Sequence, residues 1–322
     1  MTNATTVPVL KVVFAFGAVY VIWGSTYFAI AFAIETLPPM LMAGARFLVA
    51  GLLLFLWVLF KRHQWPSFKQ WKSSFISGSL LLIGGNVSVV FAEKYIPSAI
   101  AAITIASVPI WLVTLDGQQR KNLINAPFLL IGLIVGFLGV LYLIGFDPDI
   151  LNGFQDEKLL GFGLLILATI SWAIGSLYSR HQDHPTNSVM KSSLQMITAG
   201  TVTLIAGFLR GEAAHFTPEA TSWESIAAFF YLIIFGTIIG YSSYIWLLKI
   251  RPPAQVGTYA YVNPVIAVLL GWSLRDEPVT SQTITAMVII LAGVFLINYA
   301  FIIMKKKARI VEAGPSPITQ TR

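Results

Sequence analysis

The sequence predicts an all-α membrane protein in which ten transmembrane helices form two inverted-topology repeats of five helices each. Three observations lead to this prediction: an apolar composition, ten apolar segments of membrane-spanning length, and an internal repeat. Hydrophobic residues make up 56% of the 322 residues and charged residues only 11%, whereas a soluble protein carries about 25% charged residues. This composition indicates that most of the surface faces lipid.

Ten segments are long and apolar enough to cross a bilayer, which takes about 20 mostly apolar residues in a helix. They lie near 12–34, 38–60, 73–92, 97–116, 126–146, 159–179, 188–209, 224–247, 253–273 and 282–304. The connections between them are short, so no inserted soluble domain is expected. The first ten residues, MTNATTVPVL, lack a basic region, and we expect no cleaved signal peptide.

Lys and Arg are concentrated on alternate connections, and this pattern predicts the orientation. The side that holds both termini carries 16 of the 21 basic residues. Because the positive-inside rule follows Lys and Arg, both termini are predicted to be cytoplasmic. The net charge of +7 is explained by this topology, and no nucleic-acid partner is expected. The tail 305–322 opens with three lysines and is predicted to be a basic cytoplasmic segment that satisfies the positive-inside rule; the alternative is contact with anionic lipid of the bilayer.

The two halves, 12–146 and 159–304, repeat each other. With an offset of 155 residues, four residues of the first half fall on identical residues of the second: Gly85 on Gly240, Lys94 on Lys249, Pro97 on Pro252 and Pro109 on Pro264. Five helices per unit is an odd number, so the second unit enters the membrane from the opposite side. Inverted repeats of this kind are typical of secondary transporters.

Two proline-containing helices, 97–109 and 252–264, occupy matching positions in the two halves. A proline inside a helix removes one N–H and displaces the carbonyl four residues earlier. A carbonyl freed inside a bilayer is tolerated where protein or a wet cavity satisfies it. We therefore predict helix kinks with a gating role at Pro109 and Pro264, and a binding cavity between the two helices.

Polar and aromatic side chains at membrane depth are costly unless they face a cavity or another helix. Twelve of them are predicted to line a substrate cavity: Trp23, Ser25, Tyr27, Asn86, Ser107, Trp111, Trp172, Ser176, Tyr241, Tyr259, Tyr261 and Asn263. Such a lining suits an amphipathic organic solute better than a bare ion. The alternative is that many of them are interface aromatics or helix-packing groups.

Arg46 is a charged residue about 12 Å inside the second predicted helix. Glu93 lies near the same end of the third, and intramembrane charges usually pair or face water. We predict an Arg46–Glu93 ion pair with a structural or gating role. Two alternatives remain: Arg46 extends alone to the outer interface, or it contacts substrate.

Several chemistries are absent from the sequence. There is no cysteine, which excludes disulfides and thiolate metal sites, and no phosphate loop or HExxH motif occurs. No catalytic residues, cofactor or metal are expected, and the chain is not predicted to be an enzyme. Gly132 and Gly136 form a GxxxG motif, which predicts close helix packing within the chain or, alternatively, a homodimer face.

Four segments resemble the EamA family of the drug/metabolite transporter superfamily: IWGSTYFAI (22–30), PPMLMAGARFLVAGLLL (38–54), PSAIAAITIASVP (97–109) and YAYVNPVIAVLLG (259–271). The resemblance implies an inner-membrane bundle of ten helices in two inverted repeats. It also implies a central cavity lined by helices one, three, four, six, eight and nine, and export of small metabolites, amino acids or drug-like compounds.

The resulting hypothesis is a multi-pass transporter that works by alternating access on a small-molecule substrate. Either proton coupling or the gradient of the solute itself would drive export. The alternative is a non-transporting membrane sensor or assembly subunit, which predicts no solute flux.

Overall fold

A computed structural model describes residues 8–92, 95, 101, 104–144, 156–181, 187–275 and 279–313. Within these residues the regular secondary structure is helical and includes no strand. Glu93, Pro97 and the end of the tail lie outside the described residues, and with them the predicted Arg46–Glu93 pair.

The described helices are, in chain order, α1 Val9–Ile34, α2 Pro39–Phe60, α3 Phe68–Ala92, α4 Val108–Leu115, α5 Gly117–Asn125, α6 Pro127–Ile144, α7 Asp156–His181, α8 Ser188–Leu209, α9 Trp223–Ile250, α10 Pro253–Val256, α11 Tyr259–Arg275 and α12 Ser281–Ala313. Two 3₁₀ turns, Glu212–His215 and Pro218–Ala220, lie between α8 and α9.

Seven of the described helices are long and apolar enough to cross a membrane, namely α1, α2, α3, α7, α8, α9 and α12. In α6, Pro127–Leu143 is a shorter apolar helix. The predicted span 97–116 turns at residues 106 and 107 before α4 begins, and the span 253–273 breaks at residues 257 and 258, between α10 and α11. All-α architecture with multiple apolar helices is thus observed, with two of the predicted spans interrupted.

Two antiparallel helix pairs, α2 with α8 and α6 with α12, pack together along their lengths. Glycines allow this approach: a Cβ on Gly51 would lie 2.8 Å from the Ile197 backbone nitrogen, and one on Gly200 would lie 2.5 Å from that of Leu48. Small residues let membrane helices come this close. Gly132 belongs to the second pair, where a Cβ would lie 2.8 Å from the Ile297 nitrogen, so this GxxxG glycine packs within the chain.

The middle parts of α3 and α9 are π-helical, over Ser79–Val87 and Leu232–Tyr241. In both, a side chain from a neighbouring helix donates to a π-helical carbonyl. The Ser171 hydroxyl donates to the Leu80 carbonyl over 2.8 Å, and the Trp23 indole N–H donates to the Gly236 carbonyl over 3.1 Å. π-helical turns are uncommon and occur often at functional sites.

Side-chain caps fix where several helices begin. Ser67 and Gln70 form a capping box at the start of α3, and Asn187 accepts from the Val189 N–H at the start of α8. The start of α2 is capped by a distant residue, because Glu212 Oε2 accepts from the backbone N–H groups of Met40 and Leu41 over 2.9 and 3.1 Å. A carboxylate at this position also complements the helix dipole.

Candidate binding cavity

A cavity lies between the two halves of the chain, and the empty space in and around it, including space open to solvent, measures about 930 Å³. It is lined by Trp23, Thr26, Tyr27, Ile30, Arg46, Phe47, Leu82, Gly85, Asn86, Val89, Val90, Ile105, Val108, Ala168, Thr169, Trp172, Gly236, Thr237, Tyr241, Tyr259 and Asn263.

Helical periodicity places these side chains on common faces. The lining residues of α1 follow the spacing i, i+3, i+4, i+7, which marks one face of a helix: Trp23, Thr26, Tyr27 and Ile30. The lining residues of α3 include a set with the same spacing: Leu82, Gly85, Asn86 and Val89. The cavity extends toward the end of the bundle where α1 and α3 finish and α2 begins, which we call the cavity end.

An aromatic cluster lies at one wall of the cavity and consists of Trp23, Trp172, Tyr244 and Tyr259. All of these except Tyr244 line the cavity. The Trp23 ring centroid lies 5.6 Å from that of Trp172, 5.1 Å from Tyr244 and 4.8 Å from Tyr259. The Trp172 indole N–H donates to the Tyr244 hydroxyl over 2.9 Å. Edge-on and tilted contacts of this kind stabilise aromatic packing, so these rings form a fixed apolar surface.

Arg46 faces this cavity from α2 and is only 4% exposed. Its Nη2 donates to Asn86 Oδ1 over 2.8 Å, and its Cζ lies 4.4 Å from the centre of the Phe47 ring. Its Nε is buried and has no hydrogen-bond partner in the described part of the chain. The lining holds a second buried polar atom without a hydrogen-bond partner in the described part of the chain, namely Oδ1 of Asn263. Asn263 is only 3% exposed.

The opposite end of the bundle, where α3 and α8 begin and α7 and α9 finish, holds a buried polar network and is called the network end. The Gln195 amide donates to Ser77 Oγ over 2.6 Å and to Ser179 Oγ over 3.3 Å, and it accepts from the Tyr241 hydroxyl over 3.0 Å. Lys191 Nζ donates to the Ser179 carbonyl. These bonds join α3, α7, α8 and α9 at this end of the bundle.

Seven of the twelve predicted residues line the cavity: Trp23, Tyr27, Asn86, Trp172, Tyr241, Tyr259 and Asn263. Their predicted role in binding a substrate stays a prediction. The wall also includes α2, through Arg46 and Phe47, a helix that the resemblance did not place there.

The other five predicted residues lie outside the lining, in contacts between or within helices. Ser25 shares a 2.5 Å hydrogen bond with Tyr231, and Ser176 shares one of 2.6 Å with Tyr244. The Trp111 indole donates to Ser107 Oγ one turn earlier in the chain, and the Tyr261 hydroxyl donates to the Leu133 carbonyl. These contacts are of the kind that the alternative, helix packing, predicts. The binding role of the five residues stays a prediction.

The two predicted proline sites differ in their surroundings. Pro109 lies in the first turn of α4, after the turn at residues 106 and 107. A missing N–H costs little in a first turn. Pro264 lies inside α11, directly after the orphaned Asn263. The first is thus a helix start and the second a proline within a helix, and their gating role stays a prediction.

Three threonines of the lining are absent from the predicted set, Thr26, Thr169 and Thr237. Each lies three or four residues from a predicted member of the same helix, since Thr26 follows Trp23, Thr169 precedes Trp172 and Thr237 precedes Tyr241. Helical spacing from the aromatic residues could have found them.

The chemistry available in the cavity is that of binding. Apolar and aromatic side chains surround a few polar groups, which is typical of small-molecule sites. Among the residues that the structure describes, no three His, Cys, Asp or Glu side chains come together as a metal site would need.

The chain is similar to known membrane transporters. The model of the EamA-like transporter family matches twice, at residues 10–145 and 159–299. An Escherichia coli K12 protein described as "Uncharacterized inner membrane transporter YedA" is 35% identical over 282 residues, which is 87% of this chain and 88% of the relative. Another protein of that strain, "Probable amino-acid metabolite efflux pump", is 26% identical over 294 residues, 86% of this chain and 91% of the relative.

A solved crystal structure has a similar fold, with a TM-score of 0.71 at 17% sequence identity. The similarity covers 89% of this chain and 97% of the other. At this identity the similarity shows the fold alone.

Proposed function

Because the chain belongs to the EamA-like transporter family and is a multi-pass membrane transporter, we propose that it exports small metabolites, amino acids or drug-like compounds. The observation that carries this proposal is the cavity between the two halves, which is lined by apolar and aromatic side chains with a few polar groups and is bounded at one side by the buried network of Gln195. A relative described as a "Probable amino-acid metabolite efflux pump" supports export of small organic solutes.

We further propose ten transmembrane helices in two inverted five-helix repeats, one per family match. Equivalent contacts in the two halves support this arrangement. A Cβ on Gly85 would lie 2.6 Å from the Trp172 ring, and a Cβ on Gly240, 155 residues later, would lie 2.6 Å from the Trp23 indole. Reciprocal contacts are the expected result of a pseudo-two-fold axis in the membrane plane.

The network end is proposed to face the cytoplasm, with both termini on that side of the inner membrane. The basic residues support this, since Lys191, Lys249 and Arg251 lie at the network end while Glu212 lies at the cavity end. Arg180 belongs with them, because its Nη1 donates to the Arg251 carbonyl over 2.5 Å. Lys and Arg are enriched on cytoplasmic connections.

Transport is proposed to proceed by alternating access, with the network end opening as the cavity end closes. The irregular helices α3, α4, α9 and α11 surround the cavity, and their π-helical segments and breaks are the points where the backbone bends at least cost. The hydrogen bonds of Gln195 would have to break for the cytoplasmic side to open.

Counterflow in proteoliposomes tests the proposed export. Purified protein is reconstituted and loaded with a panel of unlabelled amino acids and metabolites, and uptake of each radiolabelled counterpart is measured. We expect saturable counterflow for at least one solute, and weaker apparent affinity for it after Asn263→Ala. Asn298→Ala is the matched control, because the Asn298 amide binds Gln255 outside the cavity lining. Absence of counterflow for the whole panel would contradict the proposal.

A further inference from the structure

Arg46 is the charged residue of the cavity lining, and no Asp or Glu belongs to that lining in the described part of the chain. A charge within a membrane-spanning helix is costly and usually marks a pathway or a binding group. In the cavity, the positive charge therefore meets neutral and aromatic side chains. This electrostatic asymmetry favours an anionic group on whatever occupies the space.

The hydrogen bonds of the Arg46 guanidinium are incomplete. An arginine has five N–H donors, and the described contacts use Nη2, which donates to Asn86, while Nε has no partner. An unsatisfied buried donor costs free energy. A carboxylate can accept two parallel bonds from one guanidinium, which is the strongest pairing available to arginine.

Two contacts hold the guanidinium in place. Asn86 Oδ1 accepts from one edge at 2.8 Å, and the Phe47 ring lies 4.4 Å below Cζ. A donor that is already oriented loses little conformational entropy when a ligand binds. The guanidinium is thus held in one orientation in the cavity lining.

The second half of the chain shows that packing does not require a charge here. Gln195 lies 149 residues after Arg46, and both are the eighth residue of their helices, α8 and α2. Gln195 is wholly buried and neutral, and its amide bonds three hydroxyl groups. A neutral amide is therefore sufficient for helix packing at this position. Packing does not explain why Arg46 is charged.

We propose that Arg46 recognises a carboxylate, so that the transported solute is an organic carboxylate with an apolar body. This inference rests on the proposed function and names its substrate class. The apolar body lies against the aromatic cluster, whose Trp23, Trp172 and Tyr259 line the cavity. The orphaned Asn263 Oδ1 accepts an N–H or O–H of the solute where it has one.

The test compares two probes that differ at the carboxyl group, 3-phenylpropionate and its neutral amide, 3-phenylpropanamide. Binding to purified full-length protein in detergent is measured by isothermal titration calorimetry. We expect the wild type to bind the carboxylate about tenfold or more tightly than the amide, as a charge-assisted pair should. Arg46→Gln, which repeats the residue found at Gln195, is expected to reduce this preference to about twofold or less.

Arg210→Gln is the matched control. Arg210 also lies over a phenylalanine ring, with Cζ 5.1 Å from the Phe91 centroid, but it is exposed and outside the cavity lining. This variant is expected to keep the carboxylate preference of the wild type. Equal affinity of the wild type for both probes, or an undiminished preference in Arg46→Gln, would overturn the inference.

Arg46→Lys carries the test if Arg46→Gln does not fold. Lysine keeps the charge but not the two parallel bonds, so we expect about threefold or greater loss of carboxylate affinity with the amide bound as before. Unchanged carboxylate affinity in this variant would overturn the inference.

Glu93→Gln separates substrate recognition from the ion pair predicted with Arg46. The inference expects this variant to keep the carboxylate preference, and loss of the preference in Glu93→Gln would overturn it. Because binding is measured without transport, carboxylate binding without counterflow would refute only the proposed export. Counterflow without carboxylate preference would refute only this inference.

Discussion

The two halves of the chain place hydrogen-bonded pairs at equivalent positions, Arg46 with Asn86 and Gln195 with Tyr241. Gln195 follows Arg46 by 149 residues and Tyr241 follows Asn86 by 155, and the bonds measure 2.8 and 3.0 Å. The first pair is charged and faces the cavity, with an unpaired donor. The second is neutral and joins Tyr241 of the cavity lining to Gln195 of the buried network.

This difference separates what the repeat preserves from what it varies. The position of each pair on its helices is preserved, because helix packing depends on the backbone and on small residues. The chemistry varies, since Arg46 brings a positive charge and a buried Nε without a partner, whereas the Gln195 amide is hydrogen-bonded to three hydroxyl groups. The comparison therefore predicts that mutations at the network end change stability and that mutations at the cavity end change binding.

The largest effect on stability is expected where α2 packs against α8, the two helices that carry Arg46 and Gln195. Gly200→Ala would place a Cβ 2.5 Å from the Leu48 backbone nitrogen and should lower the free energy of unfolding by about 2–3 kcal/mol. Denaturant titration in detergent micelles measures it. Gly163→Ala is the control, because nothing lies within 4 Å of that position, and it should leave stability equal or higher. Similar losses in both variants would contradict close packing of α2 on α8.

Gln195→Leu is expected to be the next largest change, since it leaves the hydroxyl groups of Ser77, Ser179 and Tyr241 without this partner. The cost should be about 2 kcal/mol, and the network end should open more readily. Because the chain has no cysteine, a single Ser74→Cys reports on this opening, and Ser74 is only 1% exposed. Faster thiol alkylation in the double variant than in Ser74→Cys alone is expected. Equal rates would mean that Gln195 does not hold this end closed.

Removing the partner in each pair should separate stability from binding. Tyr241→Phe deletes the hydroxyl that Gln195 accepts from, with an expected cost of about 1 kcal/mol. Asn86→Ala should cost less, since Arg46 keeps access to the cavity, but should weaken 3-phenylpropionate binding about threefold because the guanidinium loses its orientation. Unfolding titration and calorimetry measure the two quantities. The reverse pattern would contradict the assignment of roles.

The smallest effects are expected at the helix starts. Asn187 directly precedes α8 and caps it, whereas Glu212 caps α2 although it lies in a turn distant in sequence. Asn187→Ala should cost about 1 kcal/mol, and Glu212→Gln about 0.5 kcal/mol because an acceptor is retained while the charge at the helix dipole is lost. Thermal unfolding of the two variants side by side measures this order. A larger loss for Glu212→Gln would show that its charge matters beyond the cap.

The sequence by itself predicts the all-α class, the positions of most of the apolar helices, the presence of two related halves and seven of the residues that line the cavity. These features are local: apolar length and helical spacing lie in consecutive residues, and so does the alternation of charge. Trp23, Asn86 and Trp172 could be selected because polar and aromatic residues at membrane depth are rare enough to stand out.

Only the tertiary structure decided which of those residues face empty space. Ser25 meets Tyr231 at a separation of 206 residues and Tyr261 meets Leu133 at 128, so their partners are invisible to any local pattern. Arg46 likewise meets Asn86 at a separation of 40 residues, and the fold places it in the cavity lining, while its predicted pair with Glu93 lies outside the described residues. A polar side chain lines a cavity when no neighbouring helix fills the space before it, and that depends on how all the helices pack.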